Sequence, residues 1–186
     1  IGTADSRWLN QPGGGRRCRH DNIRSHGDTS QFFDFWFGVD VMTEVYLREG
    51  LPQPVPARDG LDAPFWQGLQ EERLLIQRCQ GCQSWQWGPE WICHECLSED
   101  MAYEEVQGEG VIFSFERVWH PVHPALKEQG PYLIVLVELP GAGHVRLVGN
   151  LLGDPEQDVV IGSSVQAVFE HHSEVEPVYT LLQWQI

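Results

Sequence analysis

The chain has 186 residues, of which 41% are hydrophobic and 11% aromatic, enough for a buried core and too apolar for a disordered, low-hydropathy chain. Basic residues number 12 against 27 acidic ones, a formal charge of −15. Nucleic-acid backbones are bound by cations that displace condensed counterions, so this balance opposes them. The longest apolar run, Leu133 to Val137, is of strand length, whereas a membrane-crossing helix needs about 18 residues, so neither nucleic acid nor membrane is an expected partner.

Charge divides the chain. Residues 1–41 balance Arg7, Arg16, Arg17, Arg19 and Arg24 against Asp5, Asp21, Asp28, Asp34 and Asp40, so the whole net charge lies beyond them. This segment runs through Gly13-Gly14-Gly15 without a helical or alternating period until Phe32, Phe33, Phe35, Trp36 and Phe37. It is expected to be a disordered or non-native extension, with Met42 as the native start. No export signal is read in it, because the aromatic patch is short and no small-residue cleavage site follows; a cytoplasmic location is expected.

Residues 42–62 form a Pro-rich arm, with Pro52, Pro54 and Pro56 at alternate positions that suit neither helix nor ladder. Asp62 stands where a helix cap would sit and Pro64 in the first turn, so a short helix is predicted over 63–72. Phe65 and Trp66 fall on its apolar side, suited to the core or to a docked partner.

The sharpest signal is Cys79-x2-Cys82, ten residues, then Cys93-x2-Cys96. Two intervening residues let both thiolates of a tight turn reach one ion, and two such turns complete a tetrahedral set. Disulfides fit poorly: the remaining cysteine, Cys18, is distant, and bridging within a pair would be strained. With all four places filled by sulfur, the site has no position for water or substrate and is structural. Zinc is expected, with iron as the alternative; rubredoxin knuckles place glycine where Gln83 and Leu97 stand here. His94 is read as an exposed side chain of the knuckle. Trp85, Trp87 and Trp91 lie between the pairs, and so small a ribbon cannot bury three indoles alone, so they meet either the rest of the chain or another protein. The helix and ribbon together are taken as residues 63–103.

Residues 104–186 read as a β unit. Five strands are predicted around Val111 to Phe115, Tyr132 to Leu139, Val145 to Leu151, Val165 to Phe169 and Val178 to Ile186, with Gly or Pro in most gaps. The longer link from Gly153 to Gly162, with a helical turn expected at Asp154 to Gln157, suits a five-stranded OB barrel. The fold class is therefore mainly β: a short helix, a four-cysteine ribbon and a small barrel. His120 and His123, separated by Pro121 and Val122, read as a loop pair rather than a second metal site. Glu170, Glu174 and Glu176 read as a solvated acidic face.

Several short stretches in fixed order carry a resemblance: Ala63-Pro64-Phe65-Trp66-x-Gly68-Leu69, Leu74-Leu75-Ile76-Gln77-Arg78-Cys79, the second cysteine pair, Gly108-x-Gly110-x-Ile112-x-Ser114, His123-Pro124-Ala125-Leu126 and Ile161-Gly162-x-x-Val165. Over about residues 58–186 the chain resembles the bacterial and archaeal acyl-CoA-associated family with a helix, a rubredoxin-like zinc ribbon and an OB-fold. The resemblance implies a non-catalytic accessory subunit of a thiolase-like enzyme or a steroid side-chain aldolase, or of a MaoC-type hydratase. On that reading Phe65, Trp66, Trp85, Trp87 and Trp91 are candidates for the partner interface, and acyl-CoA lies in a channel shared with the partner. Its phosphates need cations, for which Arg73, Arg78, Arg117, Lys127 and Arg146 are candidates. The sequence has no Gly-x-Ser-x-Gly and no nucleotide-binding fingerprint, in keeping with catalysis by the partner. The alternatives are an iron-binding electron carrier and a nucleic-acid-binding ribbon and barrel module.

Overall fold

A computed structural model describes residue 46, residues 50–57 and residues 59–186. The expected extension over 1–41, with Cys18, lies outside the described residues. The arm from 50 to 57 carries neither helix nor strand. Helix α1 (Ala63–Gln70) follows, with Pro64 in its first turn and Phe65, Gly68 and Leu69 buried. It stops before 72 because Glu72 takes a left-handed φ of 57°. Asp62 precedes it but caps no helix amide. Instead its Oδ1 accepts from Ala57 N at 2.8 Å and its Oδ2 from Trp66 Nε1 at 2.9 Å, so the carboxylate ties the arm to the helix.

Strands β1 (Leu74–Cys79), β2 (Trp85–Gln86) and β3 (Met101–Val106) form a three-stranded antiparallel sheet in the order β2-β1-β3. Five more strands make a second sheet: β4 (Glu109–Val118), β5 (Tyr132–Leu139), β6 (Val145–Asn150), β7 (Ser164–His172) and β8 (Tyr179–Gln185), in the order β6-β5-β4-β7-β8. These are the five strands expected. The edge strands nearly meet: Leu151 bridges Trp184, Leu152 N donates to Trp184 O at 2.8 Å, and Asn150 N donates to the Gln183 side chain at 2.8 Å. Gly149 makes this approach feasible, since a Cβ there would stand 2.7 Å from both the Leu182 carbonyl and the Trp184 ring. The helical turn expected at 154–157 is a plain turn, closed by Gln157 N donating to Asp154 O at 3.0 Å.

Alternation along β5 places Leu133, Val135, Val137 and Leu139 inside, each at most 1% exposed. They join Ile112, Leu147, Leu151, Val165 and Trp184 in a single core. That same cluster includes Phe65 and Leu69 of α1 and Leu74 and Ile76 of β1, so helix and ribbon sheet share the barrel's interior.

Candidate metal centre

Cys79 ends β1 and Cys82 lies in the turn after it, while Cys93 and Cys96 occupy a second turn ahead of β3. All four Sγ atoms lie within 4.8 Å of one another, the Cys79–Cys96 and Cys82–Cys93 separations each being 3.6 Å. Cys79 and Cys93 are buried; Cys82 and Cys96 are exposed.

Both turns use one backbone device. Gln83 N donates to Cys79 O at 2.9 Å and Leu97 N to Cys93 O at 3.0 Å. Gln83 and Leu97 take φ of 65° and 62°, the left-handed region that favours glycine. The knuckle is therefore the one glycine would make, built with strained side-chain-bearing residues. Their identity does not alter the cradle and does not discriminate zinc from iron.

Hydrogen bonds converge on the sulfurs. Cys82 N donates to Cys79 Sγ and Glu95 N to Cys93 Sγ, each at 3.4 Å. The Ser84 hydroxyl stands 3.1 Å from Cys82 Sγ and 3.2 Å from Cys93 Sγ. This hydroxyl is the main reason that both thiols are held below their ordinary range, Cys93 at about 6. At Cys96 the Ser98 amide pulls the other way, but the Cys82 and Cys79 sulfurs, joined by burial, push the thiol up to about 12. Four sulfurs this close cannot all ionise unaided, whereas a dication between them offsets the repulsion and releases protons. The residues fit a tetrahedral ion held by four thiolates, and such a closed set leaves no place for substrate.

Two buried glutamines brace the second turn. Gln77 on β1 and Gln86 on β2 are 2% and 3% exposed, and Gln86 Nε2 donates to Gln77 Oε1 at 3.1 Å. Gln77 also bonds Glu90 N and O at 3.0 and 2.8 Å. Gln86 Nε2 donates to Ile92 O at 3.2 Å and its Oε1 accepts from His94 N at 3.0 Å. These side chains supply what strand pairing would otherwise supply and hold 90–94, with Cys93, against the sheet. His94 is half exposed, as expected, though its Nδ1 lies 2.7 Å from Gln86 Oε1. Composition and spacing did not single out Ser84, Gln77 or Gln86. Gln77 alternates with Leu75 and Cys79 on one face of β1, and that shared face with a ligand was the available signal.

The aromatic candidates divide. Phe65 is buried with its ring 4.5 Å from that of Trp87, and Trp66, Trp85 and Trp87 pack against the core cluster. Trp91 is 61% exposed, beside exposed Ile92, and Leu97 on the other knuckle is exposed too. The guanidinium groups are engaged within the chain. Arg73 pairs with Glu71 and Glu105, and Arg78 with Glu104 while lying 4.9 Å from the Trp85 ring. Arg117 donates to the carbonyls of Pro155 and Gln157, and Arg146 pairs with Glu138 and lies over the Phe113 ring. Lys127 has no ion pair among the described residues. His123 sits in the expected loop, its Nδ1 accepting from Ala125 N at 3.2 Å.

Comparison with known proteins agrees with this geometry. A family model described as the ChsH2 rubredoxin-like zinc ribbon domain matches residues 66–102, and one described as the ChsH2 C-terminal OB-fold domain matches 103–170. Among solved structures, an Ltp2-ChsH2(DUF35) aldolase matches with a TM-score of 0.60 and 32% identity, covering 72% of this chain and 98% of that one. A probable enoyl-CoA hydratase alpha subunit of Thermomonospora curvata is 36% identical over 115 residues, 61% of this chain but 34% of the relative, so this chain spans about a third of its length. A DUF35 domain-containing scaffold protein of Methanocaldococcus jannaschii is 29% identical over 120 residues, 63% of this chain and 82% of that protein. With a ribbon and barrel matched in tandem and almost the whole of a ChsH2-containing chain spanned, this chain belongs to the ChsH2 (DUF35) family.

Proposed function

We infer that this chain is a non-catalytic accessory subunit of a thiolase-like acyl-CoA enzyme, a thiolase or retro-aldol lyase, and helps to form that enzyme's acyl-CoA channel. The observation that carries the reading is the 98% span, at 32% identity, of a chain in a structure described as an Ltp2-ChsH2 aldolase. The metal is zinc, held by Cys79, Cys82, Cys93 and Cys96, and its work is structural. A coordination set closed by four thiolates and braced by Gln77 and Gln86 supports that role. Thiolates must stay reduced to hold an ion, which suits the cytoplasm.

Trp91, Ile92 and Leu97 form the apolar part of the surface that meets the partner; Phe65, Trp66, Trp85 and Trp87 support it from behind. Arg73, Arg78, Arg117 and Arg146 are already committed to carboxylates, carbonyls and rings, so the partner supplies most of the cations for the CoA phosphates, and among the described residues Lys127 is the cation that remains to contribute. The acyl group is that of a lipid or of a steroid side chain. The likeness to a hydratase alpha subunit supports a second reading, in which the partner is a MaoC-type hydratase.

Affinity capture from the native host with the 186-residue chain as bait tests both readings. A stoichiometric thiolase-like or aldolase subunit is the expected result, and a hydratase in its place selects the second reading. Retention of neither overturns the accessory role. A colourless protein with one zinc per chain is expected, while a red one with visible charge-transfer bands would make the site iron.

A further inference from the structure

A cavity of about 640 Å³ lies between the arm and the β7–β8 hairpin. Its apolar wall includes Leu51, Pro52, Pro54 and Leu181. Its polar wall is a buried chain of hydrogen bonds. Glu170, 3% exposed, accepts from Gln183 Nε2 at 2.7 Å on one carboxylate oxygen and lies 2.8 Å from His172 Nε2 on the other. Gln183, 1% exposed, turns its own oxygen to Asn150 N. The His172 ring stacks on Tyr179, with centroids 4.3 Å apart at 13°.

The sequence led us to expect a solvated acidic face here, and Glu170 corrects that expectation. With Nε2 donating to the carboxylate, Nδ1 of a neutral imidazole is left as an acceptor, and no described group bonds it. The Tyr179 hydroxyl likewise has no bonded partner, and it stays a protonated donor because burial, and then the Glu170 charge, raise its pKa. The other titratable side chains of the wall are occupied nearby: His171 bonds Thr180 and Glu72, and Ser173 bonds Glu174. Among the described residues the wall holds Glu170 and Glu174 and neither lysine nor arginine, so an anion would meet like charge there.

We propose that this cavity binds an uncharged, mainly apolar alcohol, its body against Leu51, Pro52, Pro54 and Leu181 and its hydroxyl donating to His172 Nδ1 and accepting from Tyr179. A cavity of this size, apolar with a few convergent polar groups, is of the kind that takes small ligands. The site stands independently of the partner reading, since it uses no residue of the ribbon and no acyl-CoA.

The test is a titration of the isotope-labelled 186-residue chain followed by amide NMR, with 2-naphthol as the neutral probe and 2-naphthoate as its anionic counterpart. Saturable shifts confined to 50–54, 170–175 and 179–183 with 2-naphthol are expected, with 2-naphthoate at least about tenfold weaker. His172→Phe keeps the stack on Tyr179 but removes the acceptor and should weaken 2-naphthol about tenfold. Leu51→Asp places charge in the arm's wall without touching the barrel, and should abolish binding while the remaining spectrum is unchanged. Shifts that do not saturate, equal affinity for the anion, or undiminished binding by Leu51→Asp would overturn the proposal.

Discussion

The ribbon and the barrel solve the same problem with opposite chemistry. In the barrel, Leu133, Val135, Val137 and Trp184 are fully enclosed and strands are paired along most of their length. In the ribbon, the turn carrying Cys93 and Cys96 lies outside any strand and depends on four sulfurs and two buried glutamines. A region too small to enclose apolar surface substitutes directional bonds for burial, and thereby becomes conditional on an ion. The barrel has no such condition, so the two should respond differently to the same insult.

The largest expected effect is metal removal. Cys93→Ser, or a strong chelator, should release the bound ion, measured by elemental analysis, and expose the amides of residues 80–100 to hydrogen exchange while β4 to β8 stay protected. Equal loss of protection in both regions would erase the contrast. Next comes Trp184→Ala in the barrel, expected to cost about 3–5 kcal/mol in denaturant titration with little change in metal content. Gly149→Ala is smaller, about 1–3 kcal/mol, because the added methyl would collide with the Trp184 ring and the Leu182 carbonyl.

Gln86→Leu sharpens the comparison from the ribbon side. It leaves Gln77, Ile92 O and His94 N short of partners at a cost of about 1–3 kcal/mol, and chelator should then extract the ion faster than from the parent protein. The smallest effect is electrostatic. Hydrogen bonds from His144 and then Arg146 hold the Glu138 carboxyl below its ordinary 4.5. A carboxyl with a lowered folded-state pKa stabilises above that ordinary value and loses the contribution as pH falls through the lower, folded one. Arg146→Ala should therefore narrow the stability difference between pH 6 and pH 3 slightly, as read by thermal melts.

Features written in local spacing were legible in the sequence. The cysteine pairs announce a metal because two residues between thiolates set the reach of a turn, and β5 announces itself by alternation. What escaped was made by tertiary contact. β3 contains Glu104 and Glu105 and has little strand character, but it pairs with β1 from Leu74–Val106 to Cys79–Met101, and its acids meet Arg78 and Arg73. Asp62 has the residue type and place of a cap, yet Ala57 N and Trp66 Nε1 claim its oxygens. Glu170 was expected on a solvated face, and Gln77, Gln86 and Gln183 drew no expectation; each is buried because the fold closes hydrogen-bonding partners around it that spacing does not reveal. The candidate site was thus legible in its ligands and not in its supports.

The helix and the first ribbon strand place Phe65, Leu69, Leu74 and Ile76 in one apolar cluster with the barrel residues. Two family models tile the sequence end to end at 102 and 103, which suggests cassettes that recombination could exchange. The interior does not respect that seam. A grafted ribbon must therefore match the barrel in volume at these four positions, so chimeras should fold only when the side chains at 65, 69, 74 and 76 fit the barrel residues they touch. The unit that folds is the whole core, whatever the tandem arrangement of the text that encodes it.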